Sequence, residues 1–279
     1  TAAARLMASA AETPEPTAPA DAPEEEPLPL LPLRDGVPSV IDTEESLQVY
    51  LTRLAKGSGP VGLDAERASG YRYTQRAYLI QVRREGAGTA LIDPIAFADL
   101  TALDEAIGDD EWILHAATQD LPCLREVGMR PRALFDTELA GRLLGYHRVG
   151  LASLVEAIVG RRMRKEHSAA DWSERPLPES WLEYAALDVE VLDELRDHLA
   201  GELAESGKDE WAAQEFEHLL SFTPAQRAEP WRRTSGVHRI KQRRNLAAVR
   251  SLWQARDALA QERDVSPGRL IPDAAISVA

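Results

Sequence analysis

The chain has a single cysteine, Cys123, among its 279 residues. That excludes an intrachain disulfide and any cysteine-based zinc cluster, and it fits a reducing cytoplasm. Long apolar runs are missing too: none approaches the roughly 20 residues that a membrane span needs. The opening TAAARLMASAA carries one Arg and too short an apolar core for a secretory signal. No Met stands at position 1, which leaves the true start open. No internal repeat is found.

The longest stretch without an acidic residue lies near the C-terminus. Between Trp231 and Arg256 there are eight Lys or Arg residues and no acid. The whole chain nevertheless has a formal net charge of −14, so residues 1–230 carry a large negative excess. An acidic body with one basic segment is an asymmetry that either phosphate contacts or a plain solvated helix face would explain.

What is present divides the chain. With 44% hydrophobic residues it can bury a core, and its length suggests about two domains. Residues 1–36 are rich in Pro, Ala and Glu and bury too little to offset their ordering entropy, so a disordered tail is expected there. Asp42 and Glu45 suggest a capping box opening a helix with Leu47, Tyr50, Leu51 and Leu54 on one face. Three strand-like runs at 61–63, 77–82 and 89–92 form a meander, and a further strand is expected at 111–115. Helical patterns cover 121–127, 137–144, 151–159, about 178–203 and 208–220. The expectation is an α/β domain with a mixed sheet over residues 37–222, a linker at 223–235, and a helical unit from 236 to 279.

Chemistry enters at PVGLDAE. Asp64 and Glu66 stand two apart at the end of an apolar strand, hence on one face, where two carboxylates repel each other. Asp120 follows the next strand in HAATQD, and Tyr184 and Asp188 share a helical face in EYAALDVEVL. Taken singly each has an ordinary reading: a solvated strand end, a helix cap, a packed phenol beside a surface charge. Together, four acids and a phenol suggest a site for a hard divalent cation such as Mg²⁺, which takes oxygen ligands and retains waters.

The motifs VGLDAE, LHAATQDL and YAALD, in that order, resemble the DEDD superfamily of 3′-to-5′ exonucleases and most closely ribonuclease D. YLIQV, ALIDP, LFDT and KEHSAADWSERPL fit the same pattern, and the resemblance spans about residues 40–205. It implies a ribonuclease H-like mixed sheet flanked by helices. It also implies that Asp64, Glu66, Asp120 and Asp188 bind two divalent cations, Mg²⁺ or Mn²⁺, while Tyr184 orients the attacking water. Two departures stand out: Ala65 where Thr is usual, and Arg67 where an aromatic residue is usual. The substrate implied is RNA with a free 3′ end, such as a tRNA precursor. Single-stranded DNA is the rival, and a catalytically silent nucleic-acid-binding protein is the alternative of another class.

His115, Lys165 and Trp172 are candidate nucleic-acid contacts, as is Arg175, although a histidine closing a strand and a tryptophan also suit packing. Asp136 and Thr137 read as a helix cap. Residues 236–279 resemble the first half of an HRDC helical module, here ending as a fragment. Arg239, Arg243 and Arg244 are its candidate phosphate contacts.

Overall fold

Alternating apolar residues on three consecutive runs build the centre of a six-stranded sheet, flanked on both faces by helices. The computed structural model describes residues 27–164, 167 and 169–278. In chain order it contains β1 (Val40–Ile41), α1 (Glu44–Leu54), β2 (Ser58–Arg67), β3 (Ala77–Glu85), β4 (Gly88–Ile92), α2 (Thr101–Ile107) and β5 (Trp112–Leu114). Then follow α3 (Leu121–Glu126), β6 (Leu134–Asp136), α4 (Thr137–Leu144), and α5 (Leu151–Leu154), which continues as a turn of π-helix. The remainder is α6 (Glu179–Glu190), α7 (Leu192–Glu205), α8 (Asp209–Leu220), α9 (Arg243–Arg263), α10 (Pro267–Leu270) and α11 (Asp273–Val278).

The strand order is β1-β4-β3-β2-β5-β6. The central meander β2–β3–β4 is antiparallel, while β1 joins β4, and β5 and β6 extend from β2, in parallel. This is the expected mixed sheet. One face packs Leu63, Ile80, Val82, Ile92, Trp112 and Leu114 into a core shared with Leu47, Tyr50 and Leu54 of α1. The other face presents Leu79 and Leu91 to Ala185 and Ala186 of α6. Burial of the Leu, Ile and Val side chains among them, about 1.5–3 kcal/mol each, is what holds the layers together. Among the described residues no helix is long and apolar enough to cross a membrane.

Four local expectations change. The cap of α1 is Thr43, not Asp42. Its hydroxyl accepts from Ser46 N and Ser46 answers at the Thr43 N–H, so the box forms one residue later. The single long helix expected at 178–203 is two, broken at Val191 (φ −119°, ψ 7°). Three-residue β6 and two-residue β1 were not foreseen. Residues 27–36, expected within the tail, are in contact with the domain: Leu31 is buried and its N–H donates to Arg162 O at 2.9 Å, while Arg162 N–H donates to Pro29 O. Residues 1–26 of that tail lie outside the described residues.

A charged latch ties this N-terminal stretch to the α6–α7 break. Buried Glu190 accepts from Arg34 N–H at 3.3 Å and faces the guanidinium of buried Arg83 at 3.4 Å. A second Arg34 contact reaches Glu194. Buried charges are tolerable only when paired in this way.

Beyond α8, Trp231 packs with Val249 of α9 and Ile276 of α11, although it falls inside the expected linker. Arg256 is buried and donates to Ile271 O at 2.7 Å and to Asp273 Oδ1 at 2.8 Å. One of the eight cations of the basic segment is therefore internal. The unit rests on the loop after β2. Asp264 accepts from Tyr73 N–H and Thr74 N–H at 3.1 and 2.9 Å, and Arg269 stacks 3.9 Å from the Tyr71 ring centroid.

Candidate active site

The side chains of Asp64 and Glu66 leave β2 toward α6, because their cross-strand neighbours Gln81 and Leu79 alternate onto that face. Close approach of the helices depends on Gly62, two residues earlier. A Cβ there would stand 3.3 Å from Leu192 Cδ1 and 3.6 Å from Val189 O. The α6–α7 junction can therefore settle onto the strand and bring Asp188 to the two acids. Carboxylate oxygens of Asp64, Glu66 and Asp188 lie within 4.8 Å of one another.

Asp120 joins from the other side. It occupies the residue before α3 but makes no side-chain cap bond to it, so the ordinary reading of an N-cap does not describe its carboxylate. Asp64 is close enough to raise Asp120 electrostatically, and Asp120 in turn raises Glu66. The turn that delivers it is held by Asp136, whose carboxylate accepts from Ala116 N–H and Ala117 N–H at 3.1 and 2.8 Å. Ala116 has φ 61° in that turn, a left-handed conformation costly for a residue with a Cβ. Asp136 also caps α4 through Glu138 and Leu139 N–H, as expected. Its grip on the 116–117 turn was not foreseen, since nothing local in the sequence links the two.

These groups line one cavity of about 520 Å³, with Arg67, His115, Gln119, Arg164 and Tyr184. Its electrostatics are unfavourable as they stand. Burial pushes the Glu66 carboxyl well up, and the charges of Asp64, Asp188 and Asp120 push it further. Burial, then Asp64, raises Asp120 in the same way, with Arg67 opposing. Burial raises Asp64 as well, against a backbone hydrogen bond from Ala65. Burial and the neighbouring Asp188, Glu66 and Asp64 charges lift the Tyr184 phenol far above its usual range, and its hydroxyl bonds to Asp188. The donor set fits a divalent cation: all oxygens, three of them from acids already converged, and a cluster whose mutual repulsion a cation would relieve.

The remaining candidates separate. His115 lines the cavity, and its Nδ1 lies 2.8 Å from Thr137 Oγ1. Burial lowers its pKa to about 4, so it is neutral at pH 7. Trp172 is a correction. It is fully buried against Trp181 and Tyr184, with ring centroids 5.3 and 6.4 Å away, and offers no surface to a nucleic acid. Arg175 is exposed but already committed, its guanidinium donating to both Asp93 oxygens and to Tyr78 O. Lys165 lies outside the described residues. Arg164 pairs with Glu183 at 3.3 Å on the cavity rim. Arg239, Arg243 and Arg244 are exposed, away from the carboxylate cavity.

A family model described as 3′-5′ exonuclease matches residues 38–204, the part that carries all five site residues. The chain is 29% identical over 243 residues to a ribonuclease D from Sphingobium indicum, covering 84% of this chain and 61% of that protein. It spans about half to two-thirds of the length of the curated relatives it matches. Among solved structures, a protein from Bifidobacterium adolescentis is 46% identical with a TM-score of 0.87, over 90% of this chain and 63% of that one. Escherichia coli RNase D, described as an exoribonuclease involved in structured RNA processing, is 29% identical with a TM-score of 0.65, over 84% and 64%.

Proposed function

The chain belongs to the 3′-5′ exonuclease family, and on that premise we propose that it is a metal-dependent exoribonuclease of the ribonuclease D type. It removes nucleotides from the 3′ ends of structured RNA, tRNA precursors being the expected class. The observation that carries this is the convergence of Asp64, Glu66 and Asp188 within 4.8 Å, beside Asp120 and Tyr184, in one open cavity. A silent binding module has no use for a buried cluster of self-repelling acids.

Asp64, Glu66, Asp120 and Asp188 would hold two divalent cations, Mg²⁺ or Mn²⁺. Bound there, such ions activate water and stabilise charge on the phosphoryl and leaving oxygens. The chain's own residues set the geometry. Tyr184 keeps its proton and, tied to Asp188, aligns the water on the phosphorus rather than carrying its charge. Attack forms the new P–O bond, the bond to the 3′ oxygen breaks, and a nucleoside 5′-monophosphate leaves. His115, neutral and oriented by Thr137, offers a hydrogen bond at the cavity wall without adding charge. The exposed Arg239, Arg243 and Arg244, on an HRDC-like helical unit, extend the RNA-binding surface. A cytoplasmic setting agrees with the buried free thiol of Cys123.

The test is a 3′-extended tRNA beside single-stranded DNA of equal length, with Mg²⁺, Mn²⁺ or chelator. RNA should shorten from its 3′ end with metal only. Asp120→Asn should abolish shortening, and Tyr184→Phe should slow it about 10²-fold or more. A preference for DNA, or unimpaired cleavage by Asp120→Asn, overturns the reading.

A further inference from the structure

Arg67 has no role in the chemistry described so far, yet it lies in the cavity. It is the last residue of β2, where the register with β3 slips by one residue between Glu66 and Arg67. Its guanidinium lines the carboxylate cavity and places Nη2 3.9 Å from Asp120 Oδ1. That separation is an electrostatic contact but too long for a hydrogen bond. Among the described residues no hydrogen bond ties down its N–H donors, and its side chain keeps 25% of its surface exposed, against 5% for Asp120. Arg164, the other described cation lining the cavity, is already paired with Glu183.

Charge balance gives this loosely held fork a use. Four carboxylates and two divalent cations sum to zero, whereas the scissile phosphodiester brings one negative charge and gains more as water attacks. A guanidinium is always charged, and its planar fork matches two phosphate oxygens. A phenyl ring at this position could supply neither property. We propose that Arg67 is a substrate-binding residue of this site, its guanidinium contacting a non-bridging oxygen of the scissile 3′-terminal phosphate. This rests on the exonuclease reading above. Asp120 then serves as the resting place of the guanidinium until cations take over that carboxylate.

The test pairs a protein change with a substrate change. Binding of two short RNAs is measured by fluorescence anisotropy with Ca²⁺, in the Tyr184→Phe background. One RNA carries an ordinary last phosphodiester, the other a neutral methylphosphonate at that linkage. The parent should prefer the charged RNA by about 10-fold or more, the usual scale of a charge-assisted contact. Adding Arg67→Met should shrink that preference by about 5-fold, the remainder being the contribution of Ca²⁺ at the same phosphate, and Arg67→Lys should restore part of it. The Mg²⁺-induced rise in melting temperature should survive Arg67→Met. A preference undiminished by Arg67→Met, or a parent with none, overturns the proposal. So does a Mg²⁺ response lost with Arg67→Met, which would make the residue a prop for the acids. If wild type with Mg²⁺ leaves RNA uncut, the exonuclease reading fails; if it cuts and Arg67→Met leaves the preference undiminished, only the Arg67 assignment fails.

Discussion

Glu66 is buried among three other acids, and each pushes its pKa upward after desolvation has already raised it. A carboxylate with a raised folded-state pKa costs stability whenever it is ionised. Glu66→Gln should therefore raise the melting temperature of the metal-free protein by about 2–5 °C, while shrinking the rise that Mg²⁺ brings to wild type. Thermal unfolding with and without Mg²⁺ reads both signs, and a fall in the metal-free melting temperature would refute the repulsion account. His115 gives the opposite pH dependence. Its folded pKa of about 4 lies below the usual value of about 6.5, so the unfolded chain binds the proton first. Its contribution is whole above pH 6.5 and falls as pH drops toward 4. Wild type should lose about 1–2 kcal/mol more than His115→Asn between pH 7 and pH 5 in urea unfolding. The shared faces of Asp64 with Glu66 and of Tyr184 with Asp188 were legible because strand alternation and helical spacing fix them whatever surrounds them, whereas Asp120, in an irregular turn, followed from motif order alone. Trp172 was not legible, since its burial against Trp181 and Tyr184, in one cluster with Leu79, is a tertiary fact. Arg67 was visible only as a departure, because a side chain reaching over a strand end follows no period.

Elements meet closely at one point, where β2 receives the α6–α7 junction over Gly62. Putting Val at position 62 places a branched side chain against Leu192 and Val189 O, within a few tenths of an ångström of contact or less. Overpacking of this kind costs about 1–3 kcal/mol. Its cheapest relief is to lift the junction, which would carry Asp188 away from Asp64. Gly62→Val should therefore lower the melting temperature and blunt the Mg²⁺ response together, and an unchanged Mg²⁺ response would mean that the junction does not set the site. The break itself escaped the sequence because the apolar spacing runs unbroken through Val191. What interrupts it is the lateral grip of Arg34 and Arg83 on Glu190, from residues more than 100 positions away. The meander and α4 were readable from local pattern. β1 and β6 were too short, at two and three residues, for any periodicity to declare itself.

At the scale of the molecule, the acidic body and the basic C-terminal unit meet along the loop that leaves the active site. Asp264 accepts three hydrogen bonds from Tyr73 and Thr74, Tyr73 donates to Asp257, and Arg269 donates to Gly70 O. Gly70 itself lines the carboxylate cavity. The basic unit is thus fixed relative to the site rather than tethered at random, and RNA held on α9 would be presented at a defined distance from the acids. Arg239, Arg243 and Arg244 are exposed, unlike Arg256, so they are the cations free to displace counterions from a phosphate backbone. Replacing all three with Gln should weaken RNA binding most at low salt. The slope of log affinity against log salt should flatten by about 2. The rate on a short oligonucleotide that reaches only the cavity should stay within about 2-fold of wild type. Equal losses on short and long RNA would mean that the mutations disturb the site, and an unchanged salt slope would mean that this face does not meet RNA.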